Sequence, residues 1–190
     1  MVDLSDREIS AEIIESCRSG DREGFRALYD LYKDRVYSIA LYFFHGEHAA
    51  AGDVTQQVFL KLMTGMGQFR GDAAFSTWLY RLVVNACLDV TRRRKADAAV
   101  AAHAPQEPAP ATNSQEEDYA RAQLATSVRA AVSTLPPKFR IAVLLRYFDD
   151  LSYEQMAEAL GCSMGTVASR LSRGHKMLAE RLKHVTSPRG

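Results

Sequence analysis

The sequence predicts an all-α protein built as two small helical domains joined by a flexible linker, and three observations carry that prediction. Apolar residues recur at three- and four-residue steps through most of the chain. No alternating apolar stretch bounded by turn residues competes with them. An Ala-, Pro- and acid-rich segment, residues 96–118, separates residues 1–95 from residues 119–190. At 190 residues the chain holds one medium domain or two small ones, each with a modest core.

In the N-terminal half, Asp21 is a candidate N-cap for a helix whose apolar stripe is Phe25, Leu28, Tyr32, Val36, Ile39 and Phe43. The segment before Asp21 reads as a short helix of unassigned role. Val54, Val58 and Leu62 mark a second helix, flanked by Phe59 and Met63. Phe75, Leu79, Leu82, Ala86 and Val90 mark a third, which carries Trp78 and runs into Arg92-Arg93-Arg94-Lys95. Residues 96–118 offer almost nothing to bury, so they cannot offset the entropy of ordering. As a coil this linker spans about 25 Å, and fully extended about 75 Å.

The C-terminal half carries a more specific pattern. Leu135-Pro136-Pro137 interrupts the chain before a helix from Phe139 to Phe148. Ser152-Tyr153-Glu154-Gln155 has the residues of a capping box, and Gly161 suits the left-handed position that ends a helix. Ser163 caps a further helix after a short turn. Ala157, Gly161 and Val167 supply the small residue, turn glycine and buried branched residue of a helix-turn-helix. Met164 to about Leu182 is then the recognition helix. Val167, Leu171 and Leu178 face its core; Thr166, Ser169, Arg170, Arg173 and Lys176 face outward, in side-chain types suited to base edges and phosphates. An ordinary helical hairpin with a solvated basic face is the alternative. Gly174, inside this helix, is expected to cost about 1 kcal/mol relative to alanine.

Charge is divided along the chain. Residues 1–68 carry net −4, residues 69–95 net +4, residues 96–118 net −5 and residues 119–190 net +6, for the overall +1. Two separate basic segments are the footprint expected of a polyanion partner, while near-neutrality argues against indiscriminate binding. The N-terminus lacks the apolar core of a signal peptide, and no apolar run approaches bilayer length. Cys17, Cys87 and Cys162 are an odd, widely spaced set, which fits a reducing cytoplasm better than a disulfide framework.

Phe69-Arg70-Gly71-Asp72-Ala73-Ala74-Phe75-Ser76-Thr77-Trp78-Leu79-Tyr80-Arg81, followed by Asn85 and Arg92–Lys95, closely resembles region 2 of extracytoplasmic-function (ECF) sigma factors. Asp53-Val54-Thr55-Gln56-Gln57-Val58-Phe59 resembles the preceding helix of that family. Leu135-Pro136-Pro137 and Gly165-Thr166-Val167-Ala168-Ser169-Arg170-Leu171 resemble its region 4. The resemblance implies a factor that binds core RNA polymerase and promoter DNA. Region 2 would open the minus-ten element and region 4 would read the minus-thirty-five element as duplex.

On that resemblance Asp53, Gln56 and Gln57 are expected to meet the polymerase. Phe69, Arg70, Arg81, Asn85, Arg92, Arg93 and Arg94 are expected near opened DNA, and Thr166, Ser169, Arg170, Arg173 and Lys176 on duplex. By their spacing, Phe75 and Trp78 read as core residues. An anti-sigma factor is the further partner the family implies; no cofactor, metal or small-molecule substrate is implied. There are departures: Ala49-Ala50-Ala51-Gly52 replaces the usual acidic run, Gln57 replaces a glutamate, and Ala168 stands where a lysine is usual.

Two other classes compete. A stand-alone helix-turn-helix regulator explains residues 135–182 but leaves the Arg70–Lys95 pattern unexplained, and no dimerisation heptad is visible. An enzyme built on His45, His48 and Cys17 lacks further metal ligands, a phosphate loop or a nucleophile–base pair. Limited proteolysis of the free chain checks the organisation. Cleavage is expected first within residues 96–118, releasing two helical fragments; first cleavage inside residues 75–94, with those residues protected, contradicts it.

Overall fold

In the computed structural model the described residues are 9–69, 71, 74–100 and 126–186, with side chains left aside at 98–100 and 184–186. All regular structure among them is helical: α1 (Ala11–Arg18), α2 (Arg22–Phe43), α3 (His48–Gly65), a 3-10 turn (Met66–Gln68), α4 (Phe75–Val100), α5 (126–133), α6 (Pro137–Phe148), α7 (Tyr153–Leu160) and α8 (Met164–Thr186). Arg70, Asp72, Ala73 and the linker residues 101–118 lie outside the described residues. Ala96–Val100, expected to begin the linker, instead prolong α4. Alanine has the strongest helix propensity, so this stretch extends an established helix more readily than it starts a coil.

The first half is a bundle of α1 to α4. Asp21 caps α2, accepting from the Glu23 amide at 3.2 Å and from the Ser16 hydroxyl at 2.6 Å. The stripe Leu28, Tyr32, Val36, Ile39 and Phe43 is buried, as its 3.6-residue spacing requires. It meets Val54, Val58 and Leu62 of α3 and Leu79 and Val83 of α4 in one core. The short α1 crosses α2 where Gly24 lies under Ser16. It also tethers the chain after α3, because the Arg18 guanidinium donates to the Phe69 carbonyl at 2.9 Å.

The second half winds around α6. Residues 139–145 of that helix are all buried, apolar but for Arg140, so it is covered on every side and central to its bundle. Ser152 and Gln155 form the expected capping box at the start of α7, and Gly161 ends it at φ 59°, ψ 42°. The Thr166 amide donates to the Ser163 hydroxyl at 3.2 Å, capping α8. Gly174 is the contact point of α8 with α6: a Cβ there would lie 3.0 Å from Val143 Cγ2 and 3.8 Å from Phe139 Cβ. Its helix-propensity cost therefore accompanies close helix packing.

The halves pack against each other, α4 along α7 and α2 along α6. Arg35 pairs with Asp149, whose side chain is 1% exposed. The rings of Tyr42 and Phe148 lie 4.5 Å apart. Arg140 of α6 reaches the end of α2, donating to the Phe43 carbonyl at 2.6 Å.

Gly24→Ala tests the α1–α2 crossing. A Cβ there would sit 2.4 Å from Ser16 Oγ and 3.0 Å from the Cys17 backbone nitrogen. Helix propensity alone favours alanine by about 1 kcal/mol, but overpacking costs about 1–3 kcal/mol. Urea unfolding is expected to show a net loss of stability; an unchanged or raised midpoint contradicts the crossing.

Candidate nucleic-acid interface

On α8 the residues separate into two faces. Val167, Leu171 and Gly174 are buried and Leu178 is half-buried. Thr166, Ser169, Arg170, Arg173 and Lys176 fall within about 120° of arc on the other side, at 100° per residue. Ser169, Arg173 and Lys176 are exposed, and Thr166 and Arg170 are half-buried. The Thr166 hydroxyl lies 3.0 Å from that of Ser163, so it belongs to the helix cap as well as to the outer face. A rigid helix thus presents guanidinium, ammonium and hydroxyl groups together, which is the chemistry that reads base edges and phosphates.

On α4 the expected set divides. Arg81, Asn85 and Arg92 are exposed and lie within about 40° of arc. Arg92 bonds Asp89 at 2.5 Å, a surface pair one turn away that leaves it exposed. Arg93 is exposed to one side. Arg94 does not join the outer face. It follows Val83, Cys87 and Val90 at helical spacing and so points back over the bundle. There it grips Glu47 with two bonds of 2.7 Å and lies over the Phe44 ring. This holds the Glu47 carboxyl below the usual carboxylate range. Glu47 precedes α3 without capping it through its side chain, its oxygens being committed to Arg94.

Phe69 also departs from expectation. It is 7% exposed, with its ring edge-on to Phe75 at 5.5 Å and 5.3 Å from Trp78. In this arrangement it closes the aromatic core and offers no free face for stacking. Phe75 is buried and Trp78 half-buried in the same cluster, in line with their core reading. Arg70 lies outside the described residues.

On α3, Asp53 and Gln56 are exposed and Gln57 is half-buried. Leu60, not named from sequence, and Met63, named only as flanking the apolar stripe, continue the line of Asp53 and Gln56 and are 55% and 54% exposed. The available signal was phase: they fall outside the Val54, Val58, Leu62 stripe. The Ala50 and Ala51 that replace the acidic run are buried.

Residues 28–97 match the Sigma-70 region 2 family, and residues 125–178 match Sigma-70, region 4. The chain is 32% identical over 189 residues to the RNA polymerase sigma-H factor of Pseudomonas aeruginosa, across 93% of this chain and 95% of that protein. It is 31% identical over 191 residues to the ECF RNA polymerase sigma-E factor of Escherichia coli K12, across 95% and 97%. The chain belongs to the ECF sigma factors.

This sigma factor binds core RNA polymerase and directs promoter-specific transcription initiation, and its family is one of initiation factors, not enzymes. Its fold is shared with solved structures. For the sigma factor RpoE in complex with the anti-sigma factor NepR from Bartonella quintana, the TM-score is 0.67 at 23% identity, over 84% of this chain and 96% of that one. For CnrH in complex with the cytosolic domain of CnrY it is 0.67 at 23%, over 97% and 100%. Among the described residues of the sigma factor no helix is long and apolar enough to cross a membrane, and no group of three potential ligands could hold a metal ion. His48 bonds the Tyr37 hydroxyl at 2.6 Å and His45 meets Arg140 at 3.0 Å. Cys17 and Cys87 are buried thiols, that of Cys87 pushed up to about 12 by desolvation.

Proposed function

We propose that the outer face of α8 reads the minus-thirty-five element and the outer face of α4 meets the opened minus-ten element. The observation that carries this reading is the outward arc of Thr166, Ser169, Arg170, Arg173 and Lys176, set by a capped turn and a core on the opposite side. Arg173 lies at the middle of that arc and Arg170 at one edge of it, and both act as base readers; Lys176, further along the helix, neutralises phosphate. Arg81, Asn85, Arg92 and Arg93 form the second basic surface, and Arg70 is assigned the same role from the sequence alone. Phe69 serves it by packing against Phe75 and Trp78 at the start of α4, and Arg94 by holding the α4 end against Glu47. Residues 1–95, prolonged by Ala96–Val100 of α4, act as the polymerase- and minus-ten-binding unit, residues 119–190 as the minus-thirty-five-binding unit, and residues 101–118 as the span between them.

Asp53, Gln56 and Gln57, extended by Leu60 and Met63, form the polymerase-docking face, in which apolar contact compensates for the missing acidic run. The protein acts in the cytoplasm. An anti-sigma factor is its regulatory partner, a reading supported by the complexes in which the structural neighbours were solved.

Transcription with core polymerase on a promoter and its single-position variants tests the α8 assignment. At least one of Arg170→Ala and Arg173→Ala is expected to cost about 1–3 kcal/mol and relax specificity at one position. Lys176→Ala is expected to weaken all templates equally and flatten the salt dependence. Equal losses for both arginine variants on promoter and random templates contradict the assignment.

A further inference from the structure

The two halves share one continuous core, with α4 along α7 and α2 along α6, and at the end of α2 that junction is polar. Arg140 is 7% exposed and sits where α2 ends. Its guanidinium donates to the Phe43 carbonyl at 2.6 Å across the junction, and to the Ser133 and Leu135 carbonyls of its own half at 2.6 and 2.7 Å. Its Nη1 also lies 3.0 Å from Nε2 of His45, an exposed residue held at φ 61° in the turn after α2. A guanidinium carries donors only, so His45 must present an unprotonated Nε2 there, with its proton on Nδ1.

We propose that the meeting of Arg140 with the end of α2 and with His45 is a proton-sensitive latch that holds the two halves closed, and that protonation of His45 releases it. A second proton on the ring turns the acceptor into a donor and sets cation against cation at hydrogen-bond distance. His45 is an exposed residue whose ring is partly covered at this contact, so the proton can reach it without the halves first separating.

The groups facing His45 are Arg140 from α6, Glu47 from the turn before α3 and Arg94 from α4. Burial and then Arg140 hold the imidazole below its ordinary value; Glu47 opposes this, and Arg94 adds to it. A depressed value in the closed form means that this form binds fewer protons than the open one. Closure is therefore fully favoured above the ordinary imidazole range and lost as pH falls through it. Asp149 acts in the other direction, since burial raises its carboxyl and Arg35 only partly offsets that.

The consequence for initiation rests on the reading that each half meets its own promoter element. Elements centred about 25 base pairs apart are separated by about 85 Å of duplex. A compact chain of this length has a radius of gyration of about 16 Å, too small to place both faces at once. The closed form is then an inactive store, and opening precedes promoter binding.

Small-angle scattering of the full chain, at about pH 7.5 and about pH 5 on either side of the imidazole range, tests the latch. The wild-type radius of gyration is expected to rise by roughly a quarter at the lower pH, with helical circular dichroism unchanged. His45→Gln keeps an acceptor that does not titrate and is expected to stay compact at both values. His45→Lys carries a permanent cation and is expected to be extended at both. An equal response of wild type and His45→Gln to pH overturns the proposal, as does a folded His45→Lys protein that stays compact. Scattering reads only the shape of the chain, so this result is independent of the α8 assignment.

Discussion

A buried guanidinium needs acceptors, and Arg140 finds them for both Nη groups, though not for Nε, because α2 and α5 end around it. The Phe43 carbonyl lies at the C-terminus of α2, and the Ser133 and Leu135 carbonyls close α5 and the turn that follows. Helix C-termini carry partial negative charge and free carbonyls, so they compensate for the lost hydration without a carboxylate. The Phe43 ring adds a cation–π contact at 5.4 Å. Burial draws the guanidinium down to about 10, which still leaves it charged at neutral pH. Leaving such a charge without partners costs several kcal/mol, so the positions of α2, α5 and α6 are coupled through one side chain.

Much of this architecture was legible in the sequence because it is local. The Leu28–Phe43 stripe, the Asp21 cap, the Ser152–Gln155 box and the Gly161 turn each depend on residues within a few positions of one another, and each appears as read. The outer face of α8 followed from the same periodicity. What was missed depends on distant partners. Arg140 lies 97 residues from the carbonyl that receives it, and nothing in Phe139-Arg140-Ile141 announces a buried charge. The Arg92–Lys95 run read as one basic patch, whereas helical phase sends Arg94 to Glu47, 47 positions away. Phe69 was expected near opened DNA by resemblance, yet its ring packs against Phe75 and Trp78. Gly174 read as a helix defect until its partner Val143 supplied the reason.

The exposed faces share a design. In α3, α4 and α8 one side is spent on the core, and the opposite side carries exposed groups, polar or basic on α4 and α8 and joined by Leu60 and Met63 on α3, on a backbone fixed by packing. Rigid helices place those groups more accurately than loops do, which suits the reading of a base sequence. A single recognition helix still spans only a short duplex segment, and regulators of this kind double it by dimerising. Here the second contact comes from the same chain and from the polymerase.

The central claim is therefore that sequence-specific promoter opening requires the polymerase. Strand separation costs a few kcal/mol per unstacked step, which four small helices do not offset alone. The direct measurement is permanganate reactivity of promoter thymines, together with a gel shift, with and without core RNA polymerase. The account predicts weak, salt-sensitive duplex binding and unreactive thymines for the protein alone, and reactive minus-ten thymines once core enzyme is added. Tight binding to a palindrome by the protein alone, unchanged by core enzyme, would contradict it.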